Sequence, residues 1–225
     1  MVNPHRFIRH LERKGVQLNG QQRFQIHCGC ASGLSKDQVS MYADARFNAE
    51  QMAVIREGLQ AGLSQEQICI FADPKFSADQ MNTLFHWLNG TPGLSVDEAS
   101  RLADPRFDTA QMGAIGCGYF NGLSDSQIAM YADPKFSAQQ MYIVWDGFAR
   151  FDLSEQQVAV YADPRFSAEQ MTEILRGYEA ELPDEQVKTF ADPDLDVDQM
   201  QEMRESLESA AGFAQEEIEL QAMLI

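Results

Sequence analysis

Apolar residues along this chain recur with helical spacing, and one short pattern of them returns six times. In Leu123-Ser124-Asp125-Ser126-Gln127-Ile128-Ala129-Met130-Tyr131-Ala132, positions 128, 131 and 132 follow the i, i+3, i+4 rule of a helix with one buried face. After Asp133-Pro134-Lys135-Phe136 a second helical run opens at Ser137 and carries Met141. Each run begins with a helix-start signature. Ser124 with Gln127, and Ser137 with Gln140, are capping boxes, in which hydroxyl and amide satisfy orphan backbone N–H groups reciprocally. Leu123 with Ile128, and Phe136 with Met141, have the spacing of a hydrophobic staple. Asp-Pro stops the first helix, because the residue before proline is pushed out of the α region. The pattern predicts two helices joined by a tight turn.

The dipeptide Ala-Asp marks the repeats at 43–44, 72–73, 103–104, 132–133, 162–163 and 191–192, a period of 29 to 31 residues. Met52, Met81, Met112, Met141, Met171 and Met200 follow each Asp by eight positions. The first caps are Ser35, Ser64, Ser95, Ser124 and Ser154, then Pro183; the second are Asn48, Ser77, Asp108, Ser137, Ser167 and Asp196. Length varies only between the Met and the next cap, where Gly33, Gly62, Gly93 and Gly122 suit left-handed helix termination. A period in this range marks supersecondary units that bury their apolar faces only by stacking. The expected fold is an all-α solenoid of six two-helix repeats over 34–211, right-handed by analogy with other two-helix arrays. An N-terminal helix and half-repeat over 1–33 and a capping helix over 212–225 complete a single continuous domain. Gly58, Gly118, Gly147 and Gly177 share one helix-interior position, which predicts close helix approach; Trp87 fills it in the second repeat and predicts a local distortion there.

Composition narrows function more than fold. Apolar content of 44% supports a continuous core, and the formal net charge is −17. Residues 1–33 carry five Lys/Arg against one acid, and residues 183–225 carry two against twelve. A field of that sign repels phosphate backbones and favours basic partners. Four scattered cysteines and no apolar leader predict a cytoplasmic protein with reduced thiols. The repeat supplies the same few polar groups six times, whereas catalysis needs unlike groups that converge, so the expectation is a non-enzyme without cofactor or metal. Cys28 and Cys30 beside His27 lie one residue apart on a helix and point in divergent directions, with no fourth ligand.

Two rows suggest surfaces instead. Arg46, Lys75, Arg106, Lys135 and Arg165 place one cation per inter-helix turn, a row that Asp194 breaks. Met41, Ile70, Arg101, Met130, Val160 and Thr189 lie off the core face of the first helices, yet four of the six are apolar. Met41, Ile70, Met130 and Val160 are therefore candidate partner contacts. Asp192, Asp194, Asp196, Asp198, Glu202, Glu205 and Glu208 form a candidate acidic surface.

The phrase Tyr-Ala-Asp-Pro-Lys/Arg-Phe-Ser-Ala-x-Gln-Met at 131–141 and 161–171 resembles tandem repeats in uncharacterised proteins of gut Firmicutes and their mobile elements and phages. The resemblance spans 34–207, brings no catalytic residues with it, and implies a setting in which anti-defence roles occur. Two functions follow as expectations. One is a scaffold or adaptor that binds another protein, with neither nucleic acid nor membrane as its partner. The alternative is an acidic, anti-CRISPR-like inhibitor that blocks a nucleic-acid-binding channel by DNA mimicry.

Overall fold

A computed structural model of the protein describes the backbone of residues 2–222 and the side chains of residues 2–210 and 212. Among the described residues there are fourteen helices and no strand, so the all-α class and the two-helix repeat both hold. Helix α1 (Pro4–Arg13) precedes α2 (Gly20–Ala31). The first helices of the six repeats are α3 (Lys36–Tyr42), α5 (Gln65–Phe71), α7 (Val96–Leu102), α9 (Asp125–Ala129), α11 (Glu155–Val158) and α13 (Asp184–Phe190). The second helices are α4 (Ala49–Gln60), α6 (Ala78–Asn89), α8 (Thr109–Phe120), α10 (Ala138–Ala149), α12 (Ala168–Glu179) and α14 (Val197–Ala222). None is long and apolar enough to cross a membrane among the described residues.

Where the repeat pattern predicts one continuous domain, the chain divides into two compact units, Met1–Gly116 and Cys117–Ile225. Repeats contact only their neighbours, so such a division can fall inside a regular array without a linker. In the first unit α2, α4 and α6 pack side by side, α3 lies on α2 and α4, and α5 lies on α4, α6 and α7. In the second unit α10, α12 and α14 pack side by side, α11 lies on α10, and α13 on α12 and α14. Each unit has its own core: Ile26, Val39, Tyr42, Met52, Ile55, Ile68, Phe71, Met81 and Leu84 in the first, and Tyr131, Met141, Val144, Tyr161, Met171, Ile174, Phe190 and Met200 in the second.

The caps form as the pattern predicts. Ser35, Ser64, Ser95, Ser124 and Ser154 accept from the backbone N–H three residues on, and Gln38, Gln67, Glu98, Gln127 and Gln157 return the bond. Pro183 contributes no side-chain bond. Removing such a cap costs about 0.5–2 kcal/mol, so Ser124→Ala and Ser137→Ala should each lower the free energy of denaturant unfolding by that amount. Ser126→Ala should change it by less, because its hydroxyl bonds only to exposed partners, Ser124 and Glu155.

The second-helix boxes do more than cap. Gln51 accepts from the Asn48 N–H through Oε1 and donates through Nε2 to the carbonyl of Phe76, at 2.6 Å, in the next repeat's turn. Gln22 reaches Phe47, Gln80 reaches Phe107, Gln140 reaches Phe166 and Gln170 reaches Leu195 in the same way. One amide thus closes a helix and staples it to its neighbour, which only glutamine can do, since a carboxylate has no proton to give.

Four local outcomes differ from the pattern. Helices α9 and α11 end early: Tyr131 and Tyr161 bond their N–H groups to Ile128 and Val158, a tighter i→i−3 turn, and Met130 and Val160 leave the helix. Gly33, Gly62 and Gly122 take positive φ, but Gly93 does not, because the connection before it carries two extra residues. Asp152 and Glu181 take the left-handed position in the last two connections. The distortion expected at Trp87 is absent from α6, which runs unbroken over twelve residues. Its indole is housed by Gly116, where a Cβ would lie 2.2 Å away, and Leu102 stands in the first helix where other repeats carry a ring.

Those rings explain the glycine position. The Tyr42, Tyr131 and Tyr161 hydroxyls lie against Gly29, Gly118 and Gly147, where a Cβ would come within 1.9 to 2.0 Å of the oxygen. Phe71 and Phe190 meet Gly58 and Gly177 in the same manner. The array's seams also end on polar pairs. Arg56 Nε donates to Gln25 between α4 and α2 at 3.1 Å, and Arg204 Nε to Glu173 between α14 and α12 at 3.0 Å. Arg23, which replaces the repeat's Met, pairs with Glu12 and donates to the Leu18 carbonyl.

Candidate partner-binding surfaces

The turn row is built by its aspartates. In all six repeats the Asp side chain (Asp44, Asp73, Asp104, Asp133, Asp163, Asp192) accepts the backbone N–H two residues on, an Asx turn that redirects the chain from first to second helix. Arg46, Arg106 and Arg165 then fold their guanidinium groups back onto the same carboxylates at 2.7, 2.6 and 2.7 Å. Hydrogen bonds from those arginines hold Asp44, Asp104 and Asp163 below the usual carboxylate range. The arginine side chains remain 74% exposed, so the pairs add little to stability. Lys75 and Lys135 engage their aspartates only through the backbone N–H and extend into solvent. The row is thus two different things: three arginines folded onto their own turn, and two exposed ammonium groups.

The apolar row is half-buried rather than fully outward. Met41 and Ile70 in the first unit, and Met130 and Val160 in the second, keep part of their surface in water, whereas Arg101 and Thr189 are exposed. Helix α5, which carries Ile70, packs against the next first helix, α7.

The acidic residues of the second unit divide by role. Asp192 makes its Asx turn, Asp196 caps α14 by accepting from Gln199 N–H at 2.8 Å, and Glu205 and Glu208 gather around Arg204. Asp194, Asp198 and Glu202 are exposed, and their carboxylates take no part in these bonds. Four of the seven acids therefore hold structure before they can attract anything. Arg204, only 8% exposed, joins buried Glu173 to Glu208 and ties α14 to α12.

Sequence reasoning misses three exposed rings: Phe24 at 63% and Phe120 at 53% exposure, and Tyr142 at 37%. Their positions lie on second helices, where the periodic pattern carries no apolar requirement. His5 and His27 meet edge to face at 4.7 Å, Cys30 is buried and Cys28 half-buried, and burial pushes the Cys30 thiol up. Among the described residues no three His, Cys, Asp or Glu side chains gather as a metal site would require. Comparisons of this chain with protein families, with curated proteins and with solved structures find no match.

Proposed function

We propose that the protein is a non-enzymatic helical-repeat scaffold that binds another protein in the cytoplasm. The observation that carries this reading is a half-exposed apolar side chain in four repeats, at Met41 and Ile70 on α3 and α5 of the first unit and at Met130 and Val160 just past α9 and α11 of the second. The polar groups that recur with the repeat are already committed to turns, caps and inter-repeat bonds, which leaves apolar contact as the regular feature of that face. Fully burying an exposed side chain of this size contributes about 1.5–3 kcal/mol, and these half-buried ones add part of that each, so several must act together to offset the cost of association. The exposed ammonium groups of Lys75 and Lys135 flank the row in sequence, and the acid-rich residues 183–225 favour a partner with basic groups.

The test is a chain carrying both Met130→Glu and Val160→Glu, compared with the wild type in capture of partners from the native host. Capture should be lost while the thermal midpoint moves by no more than about 4 °C, the shift that ~1 kcal/mol produces at this chain length. A much larger drop would assign these residues to the core and remove the surface. Capture that survives this variant but vanishes at raised salt, or when Asp194, Asp198 and Glu202 are changed to Lys, would favour the acidic-inhibitor reading instead.

A further inference from the structure

Second helices meet the repeat that follows them in a fixed way. The box glutamine donates to the next turn, as Gln51 does to the Phe76 carbonyl. The sixth residue past the cap can accept from the next second helix, as Gln25 does from Arg56 and Glu173 from Arg204. Apolar positions lie against the next first helix: Ile55 and Leu59 of α4 beside α5, and Ile174 and Tyr178 of α12 beside α13, all less than a tenth exposed. In α14 these groups stand unused. Gln199 bonds only to its own cap, Glu202, the sixth residue past Asp196, is exposed, and Met203 and Leu207 are half-buried. Glu202, Met203 and Leu207 line an open groove with Thr189 and Ser206, and the α14 backbone runs on to Ala222 as one helix without turning back over it.

The first unit carries the complementary half. On α1, His5, Ile8, Arg9 and Glu12 follow the i, i+3, i+4, i+7 spacing of one helix face, and with Arg23 and His27 of α2 they line a second open groove. His27 is the eighth residue past its cap Asn19, the place from which Arg56 and Arg204 donate in α4 and α14. The Leu18 carbonyl, before the cap Asn19 as Phe76 is before Ser77, accepts from its own Arg23 and keeps a second lone pair. Charge is matched too. Arg6, Arg9 and Arg13 are exposed on α1, and Asp198, Glu202 and Glu205 are exposed on α14.

We infer that the protein associates head to tail, the α14 groove of one copy taking the α1–α2 face of a second copy as its next repeat. This goes beyond the scaffold function and uses neither Met130 nor Val160. Arg9 and His27 of the second copy supply Glu202 with the kind of donor that Arg204 gives Glu173, and α1 covers Met203 and Leu207. Opposite charge steers this encounter and disfavours the pairing of like surfaces. The contact is heterologous, so every copy offers one surface of each kind.

Sedimentation of the full chain over a dilution series tests this. The wild type should associate as concentration rises, and less so at raised salt. Glu202→Arg with Ser206→Arg blocks the acidic groove, and His5→Glu with Arg9→Glu reverses the basic face; all four residues are exposed. Each double variant alone should associate more weakly by about ten-fold or more, as loss of a charge pair at an interface does. An equimolar mixture should regain association, because each variant keeps the surface that the other lacks. Glu179→Arg, exposed and off both grooves, should leave association unchanged. A wild type that stays monomeric throughout, a mixture that stays apart, or an equal loss with Glu179→Arg would overturn the inference. If a variant fails to fold, the photo-crosslinker benzoylphenylalanine at Met203 gives an independent reading: adducts to α1 of another chain are expected, and their absence would overturn it.

Discussion

Gly147→Ala should destabilise the protein by about 1–2 kcal/mol, although alanine is the better helix former by ~1 kcal/mol. The new Cβ would sit 1.9 Å from the Tyr161 hydroxyl oxygen, at the rigid end of a ring buried between α10 and α11. Either the helices part or the ring tilts, and overpacking of this kind costs about 1–3 kcal/mol. Tyr161→Phe should relieve the clash, because the next ring atom lies 3.2 Å from the added carbon. Alone, Tyr161→Phe should be neutral or stabilising, since its hydroxyl is buried with no hydrogen-bond partner and an unsatisfied group costs about 1–3 kcal/mol. Burial holds that hydroxyl neutral, well above its ordinary pKa. The double variant should therefore be at least as stable as the wild type. Urea unfolding of the four proteins measures the coupling, and additive effects would mean that the ring and the glycine do not meet.

Gln51→Glu should cost about 3 kcal/mol or more, the scale of leaving a charge uncompensated in the interior. The Gln51 side chain is 5% exposed, and its Nε2 donates to the Phe76 carbonyl at 2.6 Å and to that of Pro74 at 3.3 Å. A carboxylate there faces two carbonyl oxygens with nothing to donate. Two controls separate this bridge from ordinary capping. Gln67→Glu should be close to neutral, because Glu98 fills the equivalent place in the third repeat and still accepts from Ser95 N–H. Gln199→Glu should also lie within about 0.5 kcal/mol, as surface changes do, because Gln199 is exposed and bonds only to its own cap. A loss at Gln199 as large as that at Gln51 would show that the box, and not the inter-repeat bond, carries the energy.

These two experiments also mark how far the sequence reaches. Cap residues, the Asp-Pro stop and the i, i+3, i+4 spacing act within a few positions of each other, so Ser124 with Gln127 or Met141 with Val144 can be placed from the chain alone. The glycine position was legible as a demand for closeness, because glycine inside a helix needs a reason. What it lies against was not, since Tyr161 is fourteen residues away, in the turn that follows another helix, α11. The Gln51 bridge left a faint trace: the second box is glutamine in every repeat, while the first admits Glu98. The surface was the least legible part. The cation row reads as five equal charges, yet three are folded onto their own aspartates and two are not, because a guanidinium reaches back with two N–H donors at once, which an ammonium group on its flexible stem does not match.

By itself the sequence determined the helices, their caps, the turn between them and the number of repeats, because all of these are local and recur. Tertiary structure decided which groups are left for a partner. Arg204 and Glu173 are withdrawn from the surface by each other across α14 and α12, and the Gln51 amide is withdrawn by the Phe76 carbonyl of the next repeat. Both are contacts between elements distant in the chain, and no spacing within one repeat encodes them.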